Sequence, residues 1–218
     1  MSGRRPLPSR LLIVTDRHQA ATPLAAIVGE ALQAGARWIW LRDRDLPPAE
    51  RRALAAELLG ITRAAKATLT VGGDVDLAAD LGADGVHLAS DTSAAAISAA
   101  RIRLGATAII GVSAHAEADV ASAQAAGADY VTLSPIFATA SKPGYGPELG
   151  VAALAPAARH GVPVLALGGI TPARAGECLR AGAAGITVMG EVMRAAGRAG
   201  HVRVVVAGFL SAVSAVTG

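Results

Sequence analysis

The sequence has one cysteine, few aromatic residues and no apolar run of membrane-spanning length. Cys178 cannot form an internal disulfide, which is typical of a protein from a reducing compartment. Aromatic residues make up 3% of the chain, too few for a surface that stacks nucleic-acid bases. The mostly apolar stretch 204–216 is shorter than the roughly 18 residues of a membrane helix. Residues 1–10 contain no apolar stretch of signal-peptide length. We therefore expect a cytoplasmic protein that does not bind membranes.

Charge is neither strong nor concentrated. The 20 basic and 17 acidic residues leave a net charge of +3, and the basic residues are scattered along the chain. Nucleic-acid-binding proteins usually present a basic stripe or patch, so we expect no nucleic-acid partner. Hydrophobic residues reach 52% of the 218 residues, which is enough for one sizeable core built from alanine, valine, leucine and isoleucine.

A repeated pattern, in which a glycine ends an Ala-rich stretch and a short apolar run follows, organises the chain. Gly35, Gly82, Gly127 and Gly182 occupy the glycine position and fit the left-handed residue that ends a helix. Four further apolar runs lie between these units. The eight predicted strands are residues 11–15, 38–41, 68–71, 85–88, 108–112, 130–133, 163–167 and 185–188.

Eight strands that alternate with helix-length segments predict an α/β protein with a single-domain (βα)8 TIM barrel over residues 11–200. Residues 1–10 form an N-terminal extension, and residues 201–218 form a C-terminal segment that packs on the barrel or on a partner subunit. A homo-oligomer is therefore possible. The alternative, an open doubly wound sheet, lacks its glycine fingerprint, because residues 15–18 read Thr-Asp-Arg-His after the first strand.

Candidate site residues follow the strands, since a TIM barrel places its active site at the C-terminal strand ends. Arg42 and Arg44 share the side-chain parity of Trp40, so both point the same way beyond the second strand. Two guanidinium groups favour a phosphate or carboxylate. The alternative is ion pairing with acidic neighbours. His115, just beyond the fifth strand, has a side chain that can transfer protons near neutral pH.

Glycines after the last two strands favour a phosphate site. Gly168 and Gly169 follow the seventh strand, and Gly190 follows Met189 after the eighth. Backbone amides and helix N-termini at these two loops commonly bind phosphate in this fold. The alternative is that the glycines only permit tight turns.

The segment 134–147, after the sixth strand, is longer than a connection of this kind requires and is typical of a lid. Thr139, Ser141 and Lys142 lie in it and offer two hydroxyls and an ammonium to an anion. The alternative is a solvated surface loop.

Six short motifs follow one another along the chain. They are Leu41-Arg42-Asp43-Arg44, Asp84-Gly85-Val86-His87-Leu88, Gly111-Val112-Ser113-Ala114-His115, Ala128-Asp129-Tyr130-Val131, Pro135-Ile136-Phe137-Ala138-Thr139-Ala140-Ser141-Lys142 and Ala166-Leu167-Gly168-Gly169-Ile170. In this order the motifs resemble the thiamine phosphate synthase family, which includes the related thiazole tautomerases. The resemblance runs from about residue 11 to residue 190.

The resemblance implies a function for each group of candidate residues. Arg42 and Arg44 fall where a synthase holds pyrimidine diphosphate. Four polar residues fall on anion-binding positions: Ser113, Thr139, Ser141 and Lys142. Four residues of the glycine-containing loops fall where thiazole phosphate is held: Gly168, Gly169, Met189 and Gly190. The implied partner is a small phosphorylated thiazole metabolite.

The chain departs from the synthase pattern at the metal site. Trp40 and Arg44 replace a glutamine and a lysine, and Gly72-Gly73 stands where the family has Asn-Asp, whose aspartate helps to hold magnesium. Asp91 is displaced by one position from the remaining acid and is only a weak metal candidate. Magnesium needs carboxylate oxygens in a fixed geometry, so these changes should weaken its binding.

The departures favour a metal-independent thiazole tautomerase-like enzyme, in which His115 moves the proton and no cofactor is needed. The first alternative is an active thiamine phosphate synthase, a transferase that would use Mg2+ to join pyrimidine diphosphate to thiazole phosphate. The second alternative is a non-catalytic protein that binds thiazole phosphate. A histidine at position 115 is compatible with either enzyme.

Overall fold

The computed structural model describes residues 6–139, 147–198 and 200–216. Eight parallel strands pair in chain order and close into a barrel, so the predicted (βα)8 fold is confirmed. The strands are β1 (Leu11–Val14), β2 (Trp38–Leu41), β3 (Thr68–Gly72), β4 (Gly85–Leu88), β5 (Ile109–Ala114), β6 (Tyr130–Leu133), β7 (Val164–Leu167) and β8 (Gly185–Val188). Strand β5 runs two residues further than predicted, which places Ser113 within the strand.

Helices connect the strands on the outside of the barrel. They are α1 (Leu24–Gln33), α2 (Pro48–Ala64), α3 (Val75–Leu81), α4 (Ala94–Leu104), α5 (Glu117–Ala125), α6 (Leu154–Ala158), α7 (Pro172–Arg180), α8 (Gly190–Ala195) and α9 (His201–Ser214). A short 3-10 turn, Val151–Ala153, precedes α6. The four repeat glycines, at positions 35, 82, 127 and 182, all have positive φ values, as their predicted place at helix ends requires.

Alternation along the strands divides the core into two layers. In β1, Leu11 and Ile13 pack outward into the layer shared with the helices, whereas Leu12 and Val14 pack inside the barrel. The interior layer is small and consists of Leu12, Val14, Trp38, Trp40, Ile109, Tyr130 and Leu165. Three of the chain's six aromatic residues, Trp38, Trp40 and Tyr130, therefore lie inside the barrel.

Glycines in the strands make room for the interior aromatic rings. A Cβ atom at Gly111 would overlap the ring of Tyr130 on the neighbouring strand. The ring of Tyr130 also meets Trp38 edge-on, with centroids 4.6 Å apart and planes at 70°. Large rings opposite glycines therefore fill the interior below the strand ends.

Helix α9 follows the last barrel unit and packs beside α1, α7 and α8. Its buried residues, Val202, Val206, Phe209 and Val213, recur at spacings of three and four, which is the pattern of a helix with one face on a core. Within the described ranges, no helix combines the length and apolar character that crossing a bilayer requires.

Candidate functional site

A cavity of about 740 Å3 opens at the C-terminal ends of the strands. It brings together nine of the residues that the sequence singled out: Arg42, Arg44, Ser113, His115, Thr139, Gly168, Gly169, Met189 and Gly190. Ser141 and Lys142 lie outside the described residues. Asp91, the weak metal candidate, is exposed and is not among the described residues that line the cavity.

The acidic residues close to Arg42 form their short hydrogen bonds with other groups. Asp43 is buried and accepts hydrogen bonds from the Thr15 hydroxyl at 2.5 Å and the Arg17 amide at 2.8 Å. Among the described residues, the ion pair of Arg42 is a single long contact, 3.8 Å from its Nη1 to Oδ2 of Asp16. The geometry therefore favours an external anion for Arg42 over the ion pairs considered as its alternative.

Asp45 is held by other cations. It accepts two hydrogen bonds from the guanidinium group of Arg17, at 2.5 and 2.8 Å, and one from His18 at 2.8 Å. The hydrogen bonds from Arg17 and His18 keep the pKa of the Asp45 carboxyl well below its usual range. Asp45 is thus a partner of the β1 loop and leaves Arg44 to face the cavity.

His87 is the centre of a buried chain of hydrogen bonds that supports Ser113, one of the residues that line the cavity. Its Nδ1 lies 2.9 Å from the Tyr130 hydroxyl, and its Nε2 lies 3.0 Å from the Ser113 hydroxyl. Complete burial lowers the pKa of His87 to about 3, with a smaller contribution from the charge of Arg44, so the ring stays neutral. Ser113 is consequently positioned from below by a neutral imidazole.

His115 stands at the wall of the cavity in a defined tautomer. Its Nδ1 lies 2.8 Å from the carbonyl oxygen of Ser134, and a carbonyl can only accept, so Nδ1 carries the hydrogen. Its backbone amide donates to Asp119 at 2.8 Å. In the neutral ring the protonable nitrogen is then Nε2, which suits a group that accepts or returns a proton.

The glycine pair after β7 has a packing function that the sequence did not reveal. A Cβ atom at Gly168 would lie 2.9 Å from Cα of Pro135, and one at Gly169 would overlap the carbonyl oxygen of Ala138. The Phe137 amide also donates to the Gly168 carbonyl at 3.1 Å. The pair therefore holds the segment after β6 close to the cavity, and this function is compatible with phosphate binding by the same loop.

Two further arginines line the cavity and were not predicted. Arg174, in the first turn of α7, donates to the Gly169 carbonyl at 3.2 Å and lies 4.6 Å above the ring of Phe137. Arg194, in α8, donates to Gln19 at 2.6 Å and to Glu191 at 3.2 Å. The sequence gives one indication of them: each arginine lies within four residues of the start of a helix, and that helix begins at one of the glycine-containing loops. They add positive charge to the end of the cavity formed after β7 and β8.

The residues at the mouth do not fit the magnesium ion that the resemblance implies. Gly72 and Gly73 provide no carboxylate, and the next acid, Asp74, accepts from Arg51 at 2.9 Å and from the amide of Leu77 at 2.9 Å. Among the described residues no group of three histidine, cysteine, aspartate or glutamate side chains could hold a metal ion. Magnesium requires several oxygen ligands in near-octahedral geometry, and this set of donors does not provide them.

A closed (βα)8 barrel with cationic side chains and glycine loops around its mouth is an arrangement that favours the binding of small anionic metabolites. Residues 11–192 match the family model of thiamine monophosphate synthase. Two curated relatives, the thiamine-phosphate synthases of Roseiflexus sp. strain RS-1 and Roseiflexus castenholzii, are each 41% identical over 195 residues. The alignments cover 87% of this chain in both cases, and 82% and 85% of the relatives. This chain belongs to the thiamine phosphate synthase family.

A solved structure with a related sequence has the same fold. Thiamine phosphate pyrophosphorylase from Pyrococcus furiosus superposes with a TM-score of 0.82 at 31% identity, over 95% of this chain and 96% of the other. The names of these relatives favour the synthase interpretation over the tautomerase interpretation preferred from the sequence.

Proposed function

We propose that this chain joins a pyrimidine diphosphate to thiazole phosphate, forming thiamine phosphate and releasing inorganic diphosphate. The observation that carries the proposal is a single cavity with two groups of cations. Arg42 and Arg44 lie after β2, and Arg174 and Arg194 lie beside the glycine loops after β7 and β8. Two anionic substrates can therefore bind in one cavity, each with its own cations.

In the proposed reaction each of the two groups of cations binds one substrate. The bond between the pyrimidine methylene carbon and the diphosphate oxygen breaks, and the thiazole nitrogen forms the new bond to that carbon. Negative charge grows on the leaving diphosphate, where guanidinium groups such as Arg42 stabilise it. The phosphate of the thiazole binds at the Gly169 and Gly190 loops, with Arg174 and Arg194 near it.

The test mixes purified protein with both substrates, with and without Mg2+, and measures thiamine phosphate by chromatography. We expect product to form and Arg42→Ala to reduce kcat/KM by at least about tenfold, as loss of a charge-assisted hydrogen bond predicts. Arg52→Ala, on the outer face of α2, is the matched control and should behave as the wild type. Absence of thiamine phosphate under all conditions would contradict the proposal.

The second candidate is the metal-independent aromatisation of a carboxythiazole phosphate tautomer. The observation in its favour is His115, whose tautomer presents Nε2 as the protonable nitrogen. In this reaction Arg42 and Arg44 would bind the substrate carboxylate. An assay in EDTA decides the matter: the wild type should aromatise the tautomer, and His115→Ala should lose about 10²–10⁴ of the rate.

The third possibility, a non-catalytic binder, has its own signature. Such a protein would bind thiazole phosphate by calorimetry and show neither reaction. The two activity assays and one calorimetric titration on the same preparation therefore separate all three functions.

A further inference from the structure

A guanidinium group lies against the residue where the family resemblance places a metal-binding carboxylate. A Cβ atom at Gly73 would lie 3.0 Å from Cζ and 3.1 Å from Nε of Arg44. We propose that Arg44, with Arg42 beside it, binds a diphosphate group directly and replaces the divalent cation at this strand end. The claim that this diphosphate belongs to a pyrimidine substrate rests on the proposed function, whereas the claim that Arg44 binds a diphosphate does not.

The cations around Arg44 are paired unequally. Arg51 is neutralised, since it donates to Asp74 at 2.9 Å and to the carbonyl oxygen of Gly72 at 2.5 Å. Within the described part of the chain, Arg42 has one long ion pair, with Asp16, and Arg44 has none. Two cations with little compensation face the same cavity, which suits a ligand carrying more than one negative charge.

The electrostatics of Arg44 agree with this arrangement. Burial lowers the pKa of Arg44, and the neighbouring charges of Arg42 and Arg51 lower it further, with Asp91 acting in the opposite direction. A divalent cation placed among these groups would be repelled, while an anion would be attracted. The absence of a carboxylate at position 73 and the presence of Arg44 beside it therefore have the same effect, since both favour an anion over a divalent cation at this strand end.

The glycine is required for this arrangement by space as well as by charge. Gly73 has a φ of +70°, and any side chain there would press against the guanidinium group of Arg44. An aspartate would in addition pair with Arg44 and remove the charge that the diphosphate needs. Gly73→Asp is thus a variant that restores the carboxylate and should abolish the direct site.

Calorimetric titration with inorganic diphosphate in EDTA tests the proposal on the intact protein. We expect the wild type to bind, and added Mg2+ to weaken the apparent affinity because the metal competes for the diphosphate. Arg44→Ala should weaken binding by about 10- to 100-fold, and Arg44→Lys by less, since lysine keeps the charge without the planar fork. Arg52→Ala is the matched control and should bind as the wild type does.

Gly73→Asp provides an independent readout, because it should lose diphosphate binding in EDTA while its unfolding midpoint shows that it is folded. The proposal is overturned if the wild type needs Mg2+ to bind diphosphate, if it does not bind in either buffer, or if Arg44→Ala binds normally. Failure of this inference and failure of the proposed function give different results. If diphosphate binds in EDTA but no thiamine phosphate forms, the direct diphosphate site is supported and the proposed function is not. If thiamine phosphate forms only with Mg2+, the proposed function is supported and the direct site is not.

Discussion

The indole ring of Trp40 stacks on the imidazole ring of His87, with centroids 3.7 Å apart and planes at 29°. The two residues belong to β2 and β4, and the strand between them contributes Gly72, whose missing side chain allows the rings to meet. A Cβ atom at Gly72 would lie 2.9 Å from Nε1 of Trp40. Trp40 and Ser113 both line the cavity, and His87 contacts both, so the stack positions two of the lining residues. Trp40 stands where the synthase pattern has a glutamine, so a buried ring fills space that a flexible side chain would leave open.

Gly72→Ala should reduce stability because the new methyl group would press on Trp40 and on the carbonyl oxygen of Leu41, each at 2.9 Å. Overpacking of this kind costs about 1–3 kcal/mol of unfolding free energy, measured by urea denaturation. Gly60→Ala is the control, since nothing lies within 4 Å of a Cβ at that helical position, and it should raise stability by up to about 1 kcal/mol. Equal stability of Gly72→Ala and wild type would show that the stack is not tightly packed.

The burial of His87 predicts a pH dependence of stability. Its pKa is about 3 in the folded protein, against about 6.5 in an unfolded chain, so the unfolded state binds the extra proton between these values. The unfolding free energy should be constant for this group above pH 7 and fall as pH drops from 6.5 towards 3. The slope approaches about 1.4 kcal/mol per pH unit for one proton.

His87→Gln should flatten that slope when unfolding is measured by urea denaturation at pH values from 4 to 8. His18→Gln is the matched control, because that side chain is largely exposed and its replacement leaves the buried group in place. A wild-type slope that survives in His87→Gln would mean that other groups produce the acid sensitivity.

The fold could be predicted because its signals are local. The repeat glycines mark helix ends through their own backbone conformation, and the apolar runs after them became strands. Arg42 and Arg44 could be placed at the cavity because strand parity alone sets their direction. These inferences need no knowledge of distant contacts.

The parts of the site that escaped prediction depend on long-range packing. Arg174 and Arg194 reach the mouth only because of the way α7 and α8 pack on the barrel, which a single sequence does not specify. Gly169 could be recognised as a turn residue, but its close approach to Ala138 joins segments more than thirty positions apart. Local sequence signals therefore identified the strand ends and missed the side chains that helices bring to them.

Gly169→Ala should disturb both stability and thiazole phosphate binding. Its methyl group would overlap the carbonyl oxygen of Ala138 and lie 2.8 Å from Cβ of Phe137, which pushes the segment after β6 away from the cavity. We expect a loss of about 1–3 kcal/mol in stability and a weaker affinity for thiazole phosphate by calorimetry. Gly127→Ala is the control, since it also has positive φ but nothing lies within 4 Å of its Cβ. It should lose some stability and keep the affinity; equal affinity loss in both variants would remove the packing argument.

Arg194→Gln should weaken thiazole phosphate binding by about tenfold or more, as expected for loss of one charge-assisted hydrogen bond. The effect should shrink at high salt, because part of it is a screened charge interaction. In the structure Arg194 is shared with Gln19 and Glu191, so part of its charge is already engaged. Glu191→Gln should therefore have the opposite effect and tighten binding, since it removes the acid that competes with the phosphate. Arg198→Gln, one turn further on and outside the lining of the main cavity, should leave the affinity unchanged. If Arg194→Gln and Glu191→Gln shift the calorimetric Kd in the same direction, Arg194 does not bind the phosphate through its charge.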